Sequence, residues 1–339
     1  MHPALLGLVT IIMGVSGCVG YFWLSNYVLD TFIYPPRGKN AGRNINRANI
    51  IRPWLFLFPA LAALSIYLAY PVLETIRLSL TERVTQPDGS TVYDFVGLAN
   101  YSQMMAEPKF WEALGNNMLW LIVVPALSTA FGLLAAQLTD RIGWGSIAKS
   151  LIFMPMAISF VGAAVIWKLV YDARPTGAEQ IGVLNAIYVY FSGNDPQQWL
   201  TIPIWNSFLL MIVLVWIQTG FAMVILSAAL RGIPEETIEA AIVDGANPFQ
   251  IFFKIKIPQI KGTIVVVWTT ITLTVLKVFD IVFAMTNGQW QTQVLANYMF
   301  DKLFRSNDWG VGSAAAIVIM ILVMPILIWN VRNVRQEMR

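Results

Sequence analysis

The richest cluster of small and ionisable residues is Glu239-Ala240-Ala241 followed by Asp244-Gly245-Ala246, with Phe252, Ile255 and Pro258 beyond it. It sits as a polar helix-turn-helix pattern between two uncharged segments of membrane length. Arg231-Gly232-Ile233-Pro234 supplies a helix stop and then a proline suited to a helix start. Glu235, Glu236 and Glu239 place negative charge on the first turns of the new helix, where its dipole favours it. Gly245 and Pro248 break that helix, and Phe249 to Ile257 is amphipathic, with Lys254 and Lys256 among the aromatic residues. Two roles fit such a surface: seating in a groove of a partner protein, or lying on lipid. Three carboxylates beside an anionic leaflet are repelled, which favours the protein partner.

Other chemistries lack their residues. The single Cys18 and single His2 rule against a disulfide framework, a Cys-based or His-based metal site and His catalysis. No pair of carboxylates is placed for acid/base work, so no catalytic residue is assigned and a membrane-embedded enzyme is not supported. The phosphate loop GxxxxGK[ST] is absent from the sequence. ATP would have to be hydrolysed on another chain.

These residues are positioned by membrane helices. Of the 339 residues, 57% are apolar and 12% charged, with a mean hydropathy of +0.63, which is the profile of a chain dissolved in a bilayer. A hydrocarbon core of about 30 Å needs roughly 20 apolar residues of helix. Seven such runs occur: 4–29, 54–73, 114–138, 151–171, 203–230, 263–285 and 311–331. Membrane β-strands would be half as long and would alternate, so the expected class is an all-α membrane protein. The stretches 30–53, 139–150, 231–262 and 332–339 hold 14 basic and 7 acidic residues, against 8 and 12 for 74–113, 168–203 and 277–310. The positive-inside rule puts the first set, and with it the Glu239 segment, in the cytoplasm. The first run has no basic start and is long for a signal peptide, so it is expected to stay as a membrane helix. Tyr34 to Asn44, rich in Pro, Gly and basic residues, is expected to be an irregular cytoplasmic linker.

Glu239-Ala-Ala, Asp244-Gly-Ala, Phe252, Ile255 and Ile257-Pro258 resemble the EAA motif of permease subunits in binding-protein-dependent ABC importers. One departure is Gly262, where these proteins usually carry a second Pro. From Trp54 to Arg339 the chain is similar to carbohydrate permeases of the maltose and glycerol-phosphate type, through "FVGLANYSQMMAEPKFWEALGNNMLW" and "FDIVFAMTNGQWQTQVLANYMF" among others. Gly288-Gln289-Trp290 stands where Gly-Gly-Pro is usual. The N-terminal hairpin resembles alpha-glucoside and glucosylglycerol permeases.

The resemblance implies a six-helix permease domain at 54–339, with a cytoplasmic coupling loop at 231–262. A further transmembrane helix and its linker occupy 1–53. It implies a multi-pass subunit of a prokaryotic plasma (inner) membrane importer for an alpha-glucoside or glucosylglycerol. Its partners would be a second permease, an ATPase dimer, an extracytoplasmic sugar-binding protein and lipid, with no nucleic acid. ATP and Mg would sit on the ATPase subunits, with no cofactor or metal on this chain. Glu239, Ala240, Ala241, Asp244, Gly245, Ala246, Phe252 and Pro258 would dock the ATPase. A sugar path needs polar groups beside aromatic rings. Gln218, between Trp216 and Phe221, is one candidate, a helix–helix hydrogen bond being its other reading. Thr274, Lys277 and Val278 match substrate-facing positions of such permeases and are expected on one helical face. Lys277 and Asp280 would otherwise neutralise each other. An ion-coupled carrier would use that pair, but leaves the Glu239 loop without a role. Asn116 and Asn117 are read equally as anchors of their helix or as substrate contacts.

Overall fold

In a bilayer only a helix satisfies all its backbone polar groups within its own segment, so the apolar runs fold as helices. The structure, a computed structural model, describes residues 3–38, 40–87, 90–140 and 142–337. Among these, five helices are long and apolar enough to cross a membrane, and two bent helix pairs bring the number to as many as seven. The chain separates into two compact units, Met1–Glu74 and Thr75–Arg339.

The first unit holds α1 (Pro3–Val28) with a π-helical turn over Leu29–Ile33, α2 (Ala41–Leu64), a second π-helical turn over Ser65–Ala69 and the start of α3 (Tyr70–Ser79). Among the described residues here, 34–38 and 40 are irregular and α2 already begins at Ala41, so the expected linker is shorter than Tyr34 to Asn44. The Asn44 side chain closes it by donating to the Pro35 carbonyl at 3.0 Å. Position 53, the expected boundary, lies inside α2. Pro59 within α2 lacks the N–H that would bond the Leu55 carbonyl, and the Tyr21 hydroxyl donates to that carbonyl at 3.0 Å. Arg52 grips both carboxylate oxygens of Asp30, at 2.7 and 2.6 Å. Ile11, Trp23, Phe58 and Tyr67 are exposed. Each large apolar side chain left in water would forgo about 1.5–3 kcal/mol, which identifies lipid as the solvent of these faces.

In the second unit a hairpin, β1 (Thr81–Thr85) and β2 (Thr91–Phe95), pairs Thr81 with Phe95. It leads into α4 (Ala99–Ala106) and the long α5 (Pro108–Thr139). Then follow α6 (Gly145–Phe153), α7 (Phe160–Val170), α8 (Val183–Ser192) and α9 (Trp205–Arg231). Helix α9 runs alongside α5 in the same direction, with Gly132 against Ala222 and Asp140 against Ser227 and Arg231. Gly132 of α5 faces Ala222 and the Met223 backbone so closely that a Cβ would collide, and this allows the two backbones to approach. Trp120, Val124, Leu210, Leu214, Met223 and Leu226 are buried in the core at this contact.

Two of the seven sequence runs are not single helices. Run 151–171 falls within α6 and α7, which meet at 105°. Pro155 interrupts the ladder, and Ser159 restarts it by accepting from the Gly162 N–H at 3.1 Å. After α9 come α10 (Glu235–Val243), α11 (Pro248–Gln250), a π-helical turn over Ile251–Lys256, α12 (Ile257–Gln259) and α13 (Lys261–Leu276), with a 71° bend before α13. Run 263–285 ends as helix at Leu276 and resumes as α14 (Asp280–Met285). Thr274 is therefore helical, Lys277 is the cap and Val278 lies beyond it, so these three do not share one helical face. Lys277 and Asp280 form no ion pair among the described residues. Each instead complements a helix end, the cation at a C-terminus and the carboxylate in a first turn. The chain finishes with α15 (Leu295–Phe300), a π-helical turn over Asp301–Arg305 and α16 (Trp309–Glu337).

Candidate functional site

The loop between α9 and α13 is closed by its own sequence. Gly232 ends α9, its N–H bonding to the Ala228 and Ala229 carbonyls. Pro234 opens α10, and Glu235 and Glu236 occupy the first turn. At the far end Asp244 caps the helix and Gly245 takes φ +80°, which glycine adopts without steric cost. The Ala246 N–H then reaches the Ala241 carbonyl at 2.9 Å and the Gly245 N–H reaches Ile242 at 3.0 Å, forming a Schellman cap. Two residues on, Asn247 and Gln250 form a reciprocal capping box, each side chain accepting the other's N–H at 2.9 Å.

Helical spacing separates the motif into two faces. Ile238 packs against the core and Ala241 is buried, while Glu239, Ala240, Ile242 and Val243 face outward, Val243 being 86% exposed. Asp244, Gly245, Phe249, Phe253 and Pro258 are also exposed, and Ala246 and Phe252 are half-buried. Ile233, Ile251 and Ile260 are buried and hold the loop to the bundle. An apolar surface flanked by carboxylates is thus displayed on a fixed backbone.

The attachment of this loop depends on residues whose significance the sequence reading missed. Asp140, just past α5, accepts from Lys149, from the Ser227 hydroxyl at 3.0 Å and from the Arg231 guanidinium at 2.8 and 3.0 Å. Burial alone would raise its pKa, but the hydrogen bonds from Lys149, Arg231 and Ser227 outweigh it and hold the carboxyl below the usual range. Arg231 is the last residue before the loop. On the returning side, the Lys256 ammonium donates to the Gln137 side chain at 3.2 Å. The end of α5 therefore holds both flanks of the loop. In the sequence Asp140 and Lys149 count only as loop charges, because nothing local marks their bonds to Ser227, 87 and 78 residues away.

The substrate-path candidates are only partly brought together. Thr274, Lys277 and Val278 line one small cavity with Phe160, Leu214, Phe279, Asp280 and Ile281. At about 20 Å³ it has room for one water. The Thr274 hydroxyl bonds back to Thr270 at 3.1 Å. Gln218 is 8% exposed, lies one turn beyond Leu214, and makes no hydrogen bond to another helix among the described residues. Asn116 and Asn117 act as anchors: Asn116 donates to the carbonyls of Gln291 and Gln293, both at 2.9 Å, and Asn117 accepts from Leu295 at 2.8 Å.

Residues 121–339 match the family model described as "Binding-protein-dependent transport system inner membrane component". Across 99% of both chains the protein is 63% identical to the "Alpha-glucoside transport system permease protein AglF" of Rhizobium meliloti (strain 1021). It is 47% identical to the "Osmoprotective compounds uptake permease protein GgtC" of Synechocystis sp., over 84% of this chain and 99% of that one. A chain of a bacterial ABC transporter that imports the acidic polysaccharide alginate shares the fold, with a TM-score of 0.72 at 20% identity over 89% of this chain and 100% of that chain. The chain belongs to the family of inner membrane components of binding-protein-dependent transport systems, and it is an ABC importer permease subunit.

Proposed function

We propose that this subunit imports a neutral glycoside, an alpha-glucoside or glucosylglycerol, and that residues 235–258 are the surface on which a separate ATPase subunit docks. The supporting observation is the exposed face of α10 and the following turn, held at both flanks by the end of α5. A lipid-lying helix would have no use for two such tethers. Glu239, Ala240, Asp244, Gly245, Phe252 and Pro258 form or border the docking face, and the buried Ala241 and the Ala246 N–H keep its backbone shape. ATP and Mg reside on the ATPase dimer, since this chain has no phosphate loop. A second permease subunit completes the path and an extracytoplasmic binding protein delivers the sugar. Closure of the ATPase dimer moves the loop, and α5 and α9 with it, as a rigid body. Gln218, Thr274, Lys277 and Val278 are the proposed substrate-path contacts, the last three opened from the small cavity by that motion.

The glycoside class rests on the likeness to the alpha-glucoside and osmoprotectant permeases over most of the chain. The test is ATPase activity of the whole complex in nanodiscs with binding protein and a panel of alpha-glucosides and glucosylglycerol. Stimulation by one of them names the cargo. An ATP-independent, ion-driven uptake would replace this reading with a carrier.

A further inference from the structure

At the end of the α5–α9 pair opposite the coupling loop lies a second built site. Helix α9, with 27 residues, puts about 40 Å between the two. There a cleft of about 380 Å³ is lined by Trp111, Glu112, Asn116, Ile204, Ser207 and Gln291, and also by Gly115 and Leu119. Small-molecule sites typically span about 300–1,000 Å³. By the charge asymmetry of the loops this end is extracytoplasmic.

The cleft walls combine strain with unused hydrogen-bonding capacity. The loop after α14 places Asn287, Gly288, Trp290 and Gln291 at φ of 55°, 70°, 53° and 64°, and Ile204 takes φ 72°. Such conformations are strained for residues with a Cβ and persist where surrounding structure imposes them. Here Asn206, fully buried, donates to the Trp290 carbonyl at 2.7 Å and Asn116 holds those of Gln291 and Gln293. Asn116 spends both N–H groups on this loop, and its Oδ1 has no partner among the described residues. One oxygen of Glu112 accepts the Gln293 N–H at 3.2 Å, and the other has no partner among the described residues. The Ser207 hydroxyl and the Gln291 amide likewise have none. Mostly acceptors, beside the exposed Trp111, suit a ligand that presents several hydroxyl donors and an apolar ring face.

We propose that this cleft is an extracytoplasmic entry subsite for a neutral sugar ring, with Glu112 and Asn116 accepting from its hydroxyls and Trp111 beside it. The carboxylate disfavours acidic sugars. The identification of a glycoside as cargo rests on the function proposed above, whereas binding at the cleft is measurable without transport.

Gly115 provides the probe, because a Cβ added there meets nothing within 4 Å. Cys18 is the one cysteine in the chain. Cys18→Ser with Gly115→Cys therefore gives a single thiol on this subunit, in the cleft lining. In the assembled complex in nanodiscs, its reaction with a membrane-impermeant maleimide is followed on this chain. Maltose, trehalose and glucosylglycerol at millimolar concentration are each added in place of binding protein, with galacturonate as the acidic comparison. The expected result is labelling slowed several-fold by a neutral sugar and not by galacturonate, with the protection weakened by Glu112→Gln. Equal labelling with and without every sugar overturns the subsite, as does protection by unliganded binding protein alone, which would make the cleft a protein contact. Sugar protection in a complex that shows no ATP-linked uptake of that sugar would keep the subsite and reject the proposed cargo.

Discussion

The two ends of the α5–α9 pair shape their loops differently. The cytoplasmic loop closes its backbone locally: a Schellman cap spans Ala241 to Ala246 and a capping box joins Asn247 and Gln250. Its outward-facing side chains are left free for a partner. The extracytoplasmic loop has four residues at positive φ between 287 and 291, and Asn116, Asn117 and Asn206, distant in sequence, fix it and the helix that follows. The first takes its backbone shape from caps between sequence neighbours, is tethered only at its flanks by Asp140 and Gln137, and presents a surface. The second adds tertiary anchors in its middle to its local turn bonds, and borders a cleft.

The sharpest way to break this comparison is Gly245→Pro. Proline cannot adopt φ +80° and has no N–H for the Ile242 carbonyl, so both cap bonds fail. ATP-linked sugar uptake should be abolished in proteoliposomes; uptake at the normal rate would remove the loop from coupling.

Next in size is Asp140→Ala, which strips Lys149, Ser227 and Arg231 of a shared acceptor. Charge-assisted hydrogen bonds contribute about 1.5–3 kcal/mol, so a loss near 2 kcal/mol is expected, read as a lower unfolding midpoint of the complex. Because the Asp140 pKa is depressed in the folded state, its contribution is full above the unfolded carboxylate range. It disappears as pH falls through the folded value. The gap between wild type and Asp140→Asn should thus stay constant from pH 6 to 8 and narrow below pH 4. A gap widening in acid would contradict the assigned network.

Asn206→Ala tests the other end. It leaves the Trp290 carbonyl without its donor, costing about 1 kcal/mol. Faster amide exchange should appear in residues 286–294 and nowhere in 235–256. If the two segments loosen together, the ends are not independently built. Asn247→Ala is the smallest change, about 0.5–1 kcal/mol from a lost cap, and its exchange signature should be the reverse.

The same contrast decides what was legible in the sequence. Gly232, Pro234, Gly245 and Pro248 act within a turn of themselves, so their punctuation of the coupling loop was readable. The seven apolar runs were readable too, because span length is set by the bilayer. Runs 151–171 and 263–285 each count as one span by length, because hydropathy does not register a bend. Pro155 and the 277–280 charges were the available signals. Asp140, Gln137 and Asn206 acquire their roles only when distant segments meet.

The central claim, that the exposed face of α10 seats on an ATPase, is tested most directly by site-specific cross-linking. Cys18→Ser with Val243→Cys places one thiol at an 86% exposed position of that helix, and a short bifunctional reagent is applied to the assembled importer. The account predicts a cross-link to the ATPase subunit that is lost on adding Gly245→Pro. A thiol that reacts freely and never joins the ATPase, in a complex that still hydrolyses ATP and imports sugar, would contradict it.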